Sequence, residues 1–314
     1  MRLRILPFLM LPLLGIGQTN SKVEKPIGEL LSNEISPNEI KRNASFNLDE
    51  IKVRWKKAAL ENCTGVPCIV APSFTCGTST VSDLDGNSYN TVLIGTQCWT
   101  KQNLKVTQYN DGTPIPLDAS GGSSGNGVGQ TWSSRIEGAY TIYGNEPSTG
   151  PNATNYGFLY NWYAAKGISA PISTSHKNLC PVGWHVATDG DLTTLIKFID
   201  PAVNDNTVGV QSATAGGKMK STSTLWSPAT PPSPGTDNYG FAFLPGGLRE
   251  GTSPFSTGSF GYQINQGFVW SSTESVGIDQ AWYRFLSSSD ATVWRHNDLA
   301  IKKSFGLSVR CLKD

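Results

Sequence analysis

CPVGWHVATDGDLTTLIKFID, residues 180–200, is the stretch of this sequence with the clearest structural signals. Thr188 can accept a hydrogen bond at the start of a helix, and Asp191 follows three residues later, in an acidic variant of the capping box. The apolar residues after the cap recur at the i, i+3, i+4, i+7 spacing of one buried helix face: Leu192, Leu195, Ile196 and Ile199. Because Pro201 cannot continue a helix, the sequence predicts an amphipathic helix that begins after Thr188 and ends before Pro201.

Short strands are predicted on the C-terminal side of this helix. Residues 268–270 form a short apolar run, and 282–286 and 292–295 are separated by a polar turn, which is typical of a hairpin. Residues 308–312 form a final strand. The pattern of few helices followed by several short antiparallel strands indicates the α+β class.

The N-terminal side of the helix adds a hairpin and an aromatic segment. Asp85-Gly86 is a dipeptide that tolerates the positive φ values of a tight turn, and apolar residues flank it. Residues 156–165 are aromatic at most positions, which predicts a short buried helix. The Gly/Ser stretch 120–129 and the proline-rich stretch 227–237 predict long surface loops.

The hairpin turn also has the spacing of a calcium loop. Asp83, Asp85 and Asn87 place side-chain oxygens at alternate positions, as at the start of a helical calcium-binding loop. The twelfth position of such a loop needs Glu, and here it is Ile94. We therefore favour the plain hairpin, keep a calcium ion as the alternative, and expect no other cofactor or metal.

Six cysteines predict a disulfide framework, for which the sequence alone allows fifteen pairings. Loop length and position favour Cys63–Cys68 as a local clip, Cys76–Cys98 across the hairpin, and Cys180–Cys311 between the start of the helical region and the last strand. A zinc site at the first three cysteines is the alternative. With only three histidines in the chain, we favour the disulfides.

The first residues have the layout of a secretory signal peptide. Arg2 and Arg4 precede a mainly apolar run over 5–16, and Gly15 and Gly17 occupy the −3 and −1 positions of a cleavage site. We therefore expect residues 1–17 to be removed and the protein to be secreted or displayed at the cell surface. No later segment has the length of a membrane-spanning helix, and a net charge of +1 does not favour nucleic acid as a partner.

Residues 18–75 differ in composition from the rest of the chain. They are rich in Lys, Glu and Asn and predict a polar leader with a short helix over 48–60, where Asn47 can be the cap. Residues 76–314 are predicted to form a single domain.

The order of several motifs in that domain resembles the Fibrobacter succinogenes major paralogous domain. The motifs are IGTQCW at 94–99, YNWY at 160–163, CPVGWHVATD at 180–189, LPGG at 244–247, WSSTE at 270–274 and SVRCLKD at 308–314. Ala187 stands where this family usually has proline. The helix entry and the closing Val-Arg-Cys are also similar to formylglycine-generating enzymes. This resemblance implies a C-type-lectin-like fold with two main helices, short twisted antiparallel sheets and long Gly/Pro-rich loops.

We expect no catalysis from this chain. It contains no Gly-x-Ser-x-Gly elbow, His-Glu-x-x-His helix or phosphate-binding glycine loop. The formylglycine-generating enzymes use a late pair of cysteines, whereas Cys311 is the only late cysteine here, so that activity is not carried over. Elements of the calcium-dependent lectin triplets occur at Glu146-Pro147 and at 294–298, but in the wrong places relative to each other.

Binding is therefore the favoured function: a non-catalytic recognition or adhesion module for a glycan or a protein. The alternative is a structural or assembly protein of the cell envelope, and an enzyme is the third hypothesis. Aromatic side chains near loops, together with charged side chains near strand ends, are the candidate ligand-binding residues: Trp226, Arg249, Glu274, Trp282, Arg284 and Trp294.

Overall fold

In the computed structural model, the predicted helix spans Asp189–Ile199, immediately after its cap. The Thr188 hydroxyl accepts from the backbone N–H of Asp191 at 3.1 Å, and the Asp191 carboxylate accepts from the backbone N–H of Thr188 at 2.8 Å. This is the capping box that the sequence predicts, and the helix buries the four predicted apolar residues.

The structure describes residues 73–119, 132–171, 175–228, 233–251, 258–277, 279–297 and 301–314. Within this range, Ser73–Asp314 forms one compact unit. The predicted signal peptide, the polar leader with its helix, the Cys63–Cys68 pair and the Gly/Ser loop at 120–129 lie outside the described residues.

The helices are short apart from the one after Thr188: α1 (Pro151–Tyr156), α2 (Trp162–Lys166), α3 (Asp189–Ile199) and α4 (Ala215–Met219). The strands are β1 (Thr80–Ser82), β2 (Ser88–Ile94), β3 (Gln97–Thr100), β4 (Tyr140–Thr141), β5 (Leu159–Tyr160), β6 (Trp184–Val186), β7 (Gly209–Ser212), β8 (Leu248–Arg249), β9 (Phe260–Gly261), β10 (Gln266–Glu274), β11 (Ala281–Ser287), β12 (Val293–His296) and β13 (Cys311–Lys313). Short 3₁₀ turns lie at Trp132–Ser134 and Tyr143–Asn145. The α+β class is confirmed.

A five-stranded antiparallel sheet has the order β1-β2-β3-β13-β6. The β1–β2 hairpin is confirmed, with Gly86 at a φ of 81° in its turn. The disulfides Cys76–Cys98 and Cys180–Cys311 are both formed, each with a Cα–Cα distance of 5.9 Å. The last strand, β13, lies between β3 and β6. It is shorter than the predicted strand over 308–312, because Ser308 makes only an isolated bridge to Val269.

A second, four-stranded sheet has the order β10-β11-β12-β7, and the predicted β11–β12 hairpin is part of it. Helix α3 packs against β10, and its apolar face belongs to the same buried cluster as Val269, Leu286 and Val293. Among the described residues, no helix is long and apolar enough to cross a membrane.

Two predictions about helices are wrong. The aromatic segment 156–165 is not one helix: Gly157 ends α1 at a φ of 75°, Leu159–Tyr160 is strand β5, and α2 begins only after its cap, Asn161. A Cβ at position 157 would lie 2.7 Å from a backbone oxygen, so this position, with its positive φ, requires glycine. The described residues hold one helix of 11 residues, α3, instead of two main helices.

The core is built around tryptophans from the family-like motifs. Trp99, Trp162, Trp184 and Trp270 are all buried. Trp162 and Trp270 also donate their indole N–H groups to backbone oxygens, at 2.9 and 3.0 Å. These residues hold the two sheets and α2 together and are not available to a ligand.

Candidate binding site around Trp226

Trp294 belongs to a stack of aromatic rings on one face of the four-stranded sheet. Its ring centroid lies 5.5 Å from that of Phe285, with an interplanar angle of 8°, and 5.6 Å from that of His296. Phe268 continues the stack beyond Phe285 at 5.5 Å. Phe285 and His296 also lie 5.8 Å from each other, so both pack against the same side of this half-buried indole, and Trp294 contributes to the aromatic cluster that stabilises the sheet.

Trp282 lies on the opposite face of the same sheet. It precedes Tyr283, which faces the aromatic stack, and successive side chains of a strand point to opposite faces. The guanidinium of Arg295 lies 3.7 Å from the Trp282 ring centroid and is paired with Asp189 at 2.7 Å. This cation therefore covers one face of the Trp282 ring.

The guanidinium of Arg284 binds to other side chains within the protein. It pairs with the Asp189 carboxylate at 2.7 Å and donates to the side-chain oxygens of Gln211 at 2.8 Å and Thr193 at 2.9 Å. Burial lowers its pKa to about 10, although the Asp189 carboxylate opposes that shift. The side chain is 1% exposed, so this predicted ligand-binding residue instead joins α3 to β11.

Arg249 and Glu274 also have partners within the protein. Arg249 is fully buried and donates to the backbone oxygen of Asp118 at 2.6 Å and to the hydroxyl of Thr141 at 3.2 Å. Glu274 has an exposed carboxylate that forms an ion pair with Lys303. The six candidate residues are therefore not brought together into one site.

The side-chain oxygens considered for calcium stabilise the β1–β2 turn. The Asp83 carboxylate accepts from the backbone N–H of Asn87 at 2.9 Å and from the hydroxyl of Tyr89 at 2.7 Å. The Asp85 carboxylate accepts from the backbone N–H of Thr107 at 2.5 Å. In the described part of the chain, no group of three or more His, Cys, Asp or Glu residues is arranged to hold a metal ion.

His185 links β6 to the start of α3. Its Nδ1 lies 2.6 Å from the Asp314 carboxylate and its Nε2 lies 3.3 Å from the Asp191 carboxylate. The hydrogen bond with Asp191 raises the pKa of His185. Because Asp191 is also the capping-box residue, His185 has a structural role at the start of α3.

Trp226 lines a cleft in the described part of the chain. The cleft has a volume of about 230 Å³ and is bounded by the segments on either side of residues 229–232 and by the turn after β11. Apart from Trp226, its described lining consists of small, proline and hydroxyl-bearing residues: Ser221, Thr222, Ser223, Ser227, Pro228, Ser233, Pro234, Gly235 and Ser288. None of these lining side chains titrates near neutral pH.

A buried lysine holds the walls of this cleft in place. The Lys220 ammonium donates to the backbone oxygens of Ser233 at 2.6 Å, Ser287 at 2.9 Å and Asp290 at 2.8 Å. It also lies 5.4 Å from the centroid of the Trp226 ring. Its three N–H donors are therefore all satisfied, and they join the proline-rich segment to the turn after β11.

The cleft combines an apolar indole ring with hydroxyl groups. The Trp226 N–H donates to the backbone oxygen of Phe243 at 3.1 Å, which fixes the ring orientation. The Ser221 and Ser223 hydroxyls lie 2.8 Å apart. No described residue pairs with the side-chain hydroxyls of Ser227, Ser233 or Ser288. An apolar ring bordered by unpaired hydroxyls can bind a molecule that has both C–H faces and O–H groups.

A family model described as the Fibrobacter succinogenes major domain matches residues 92–313. The chain belongs to this family. No curated protein and no solved structure shows significant similarity to the chain.

The motifs typical of this Fibrobacter succinogenes major domain lie mainly in the core. Arg310 of the closing motif is 1% exposed and donates to the backbone oxygens of Thr100, Phe241 and Ala242 and to the Asn103 side chain. None of the six motifs contains a residue of the Trp226 cleft. The family motifs therefore identify the fold and do not identify the site.

Trp226 is a candidate from the sequence, whereas the individual residues around it in the cleft carry no signal there. Lys220 and Ser288 lie far apart in the sequence and carry no motif. The sequence signal near this cleft is the proline-rich stretch 227–237, which predicts a surface loop. Its described residues 227–228 and 233–235 line the cleft.

Proposed function

We propose that this protein is an exported, non-catalytic recognition module that binds carbohydrate in the Trp226 cleft. One observation carries the proposal: a fixed indole lines a concave surface together with serine hydroxyls that have no described partner. A sugar ring has an apolar C–H face that stacks on an indole, and its hydroxyls match those of serine in both donating and accepting.

The absence of titratable groups from the described cleft lining favours binding over catalysis. General acid–base chemistry needs a side chain that exchanges a proton near the reacting atoms, and the lining offers only hydroxyls, an indole and backbone. For the same reason we propose that binding needs no calcium ion, because hard cations require carboxylate or carbonyl oxygens in greater number.

The architecture supports a C-type-lectin-like fold, which we propose on the basis of two antiparallel sheets and the pairing of the C-terminal strand β13 with β3 from the beginning of the domain. Export is supported by the two disulfides, which persist in oxidising compartments.

A glycan array tests the proposal with the full chain. We expect the wild-type protein to bind a subset of the arrayed glycans, with or without a chelator. Trp226→Ala should weaken that binding by about 2 kcal/mol, or roughly thirtyfold, because a stacked aromatic anchor is lost.

Trp282→Ala is the matched control, since Trp282 is also half-buried but lies on the second sheet and does not line the cleft. It should keep the binding profile, and the melting temperatures of both variants check that they are folded. Equal loss of binding in both variants, or a wild-type protein that binds no glycan on the array, would contradict the proposal.

A further inference from the structure

The turn between β9 and β10 lies directly beside the Trp226 cleft. The backbone oxygen of Ile264 accepts from the N–H of Ser227 at 2.7 Å, and that of Asn265 accepts from the N–H of Ser288 at 2.8 Å. Ser227 and Ser288 both line the cleft. The turn is therefore hydrogen-bonded to two of its walls.

This turn holds two bulky residues in an unfavourable backbone conformation. Tyr262 has a φ of 63° and Ile264 a φ of 64°, in the left-handed region that glycine and asparagine tolerate best. Ile264 is β-branched, which makes the conformation still less favourable. The turn is held in place by hydrogen bonds such as that from the N–H of Ile264 to the oxygen of Pro245, at 3.0 Å.

The same two side chains point outward. Tyr262 is 55% exposed and Ile264 is 44% exposed, so neither is held in this conformation by burial in the core. Tyr262 is steadied by an edge contact with Phe268, at a ring-centroid distance of 6.1 Å. No described residue pairs with its hydroxyl. Strained residues that are retained at an exposed position beside a cleft are typical of ligand-contacting sites.

We infer that Tyr262 and Ile264 extend the Trp226 cleft into a second subsite, so that the ligand is an oligosaccharide of at least two sugar units. One unit stacks on Trp226, and the next unit lies against the ring of Tyr262 and the side chain of Ile264. This inference rests on the proposed function of the cleft.

Isothermal titration calorimetry tests the second subsite. The ligands are an oligosaccharide that the protein binds on the array and the monosaccharide of its terminal unit. The wild type should bind the oligosaccharide more tightly. Tyr262→Asn removes the ring and suits a positive φ, so the variant should melt at a higher temperature than the wild type. It should lose about tenfold in oligosaccharide affinity and keep its monosaccharide affinity.

Phe198→Ala is the matched control, because Phe198 is an aromatic residue that is 50% exposed and does not line the cleft. It should bind both sugars as the wild type does. Unchanged oligosaccharide affinity in Tyr262→Asn, or equal affinity of the wild type for the two sugars, overturns the second subsite and leaves the Trp226 site standing. Failure of every sugar to bind overturns both.

Discussion

Lys220 shows how one buried charge can organise a surface site. Its ammonium is 1% exposed and has three neutral backbone oxygens as acceptors. Burial lowers its pKa. The hydrogen bonds compensate for the lost hydration and join the proline-rich segment to the turn after β11.

We expect Lys220→Met to reduce the free energy of unfolding by about 3 kcal/mol, because each buried oxygen that loses its donor costs about 1–3 kcal/mol. Denaturation in urea measures this. Lys197→Met is the control: Lys197 is half exposed and pairs with Asp205 at the surface, so its loss should cost less than about 1 kcal/mol. Equal costs in the two variants would argue against an organising role for Lys220.

At the scale of elements, a single carboxylate joins helix α3 to the four-stranded sheet. Asp189 lies in the first turn of α3 and pairs with Arg284 of β11 and Arg295 of β12, each at 2.7 Å. These arginines hold the pKa of Asp189 below its usual value against the opposing effect of burial. The helix is therefore attached to the sheet by charge as well as by its apolar face.

Replacing Asp189 with Asn should destabilise the protein by about 3–5 kcal/mol, because two buried guanidinium groups lose their counter-charge. Guanidinium chloride is unsuitable for the measurement because it screens charge, so urea is the denaturant of choice. Thr188→Ala, which removes only the helix cap, should cost about 1 kcal/mol and serves as the reference. A cost for Asp189→Asn no larger than that of the cap would mean that the arginines find other partners.

At the scale of the whole described unit, β13 closes the fold. It brings residues 311–313 between β3 and β6, and the Cys180–Cys311 bond secures that arrangement across a sequence separation of 131. The Cys76–Cys98 bond spans only 22 residues of the same sheet. A cross-link over a longer loop restricts the unfolded chain more strongly.

The Cys180→Ser/Cys311→Ser double variant should therefore lose more stability than Cys76→Ser/Cys98→Ser. The chain-entropy model gives about 5 kcal/mol for the first pair and about 3 kcal/mol for the second. Thermal unfolding of both variants beside the oxidised wild type makes the comparison. The reverse order would show that packing around the cysteines outweighs the loop-closure effect.

The local features of the fold and the family can be predicted from the sequence. The capping box at Thr188, the Asp85-Gly86 turn and the β11–β12 hairpin were predictable, because each depends on residues within a few positions of one another. The segment 156–165 was misread for a related reason: its aromatic residues are buried by contacts with distant strands, so their spacing carried no helical period.

The surroundings of the candidate tryptophans depend on contacts between distant parts of the chain. Trp226, Trp282 and Trp294 are equivalent in the sequence. In the structure, Trp282 packs against Arg295 and Trp294 packs against Phe285, whereas Trp226 lines the described cleft. Lys220 joins the walls of that cleft, and one of its acceptors, the backbone oxygen of Asp290, lies 70 residues away in the sequence. Contacts over such separations leave no periodicity or spacing in the chain, so the site follows from the fold and could not be read from the sequence.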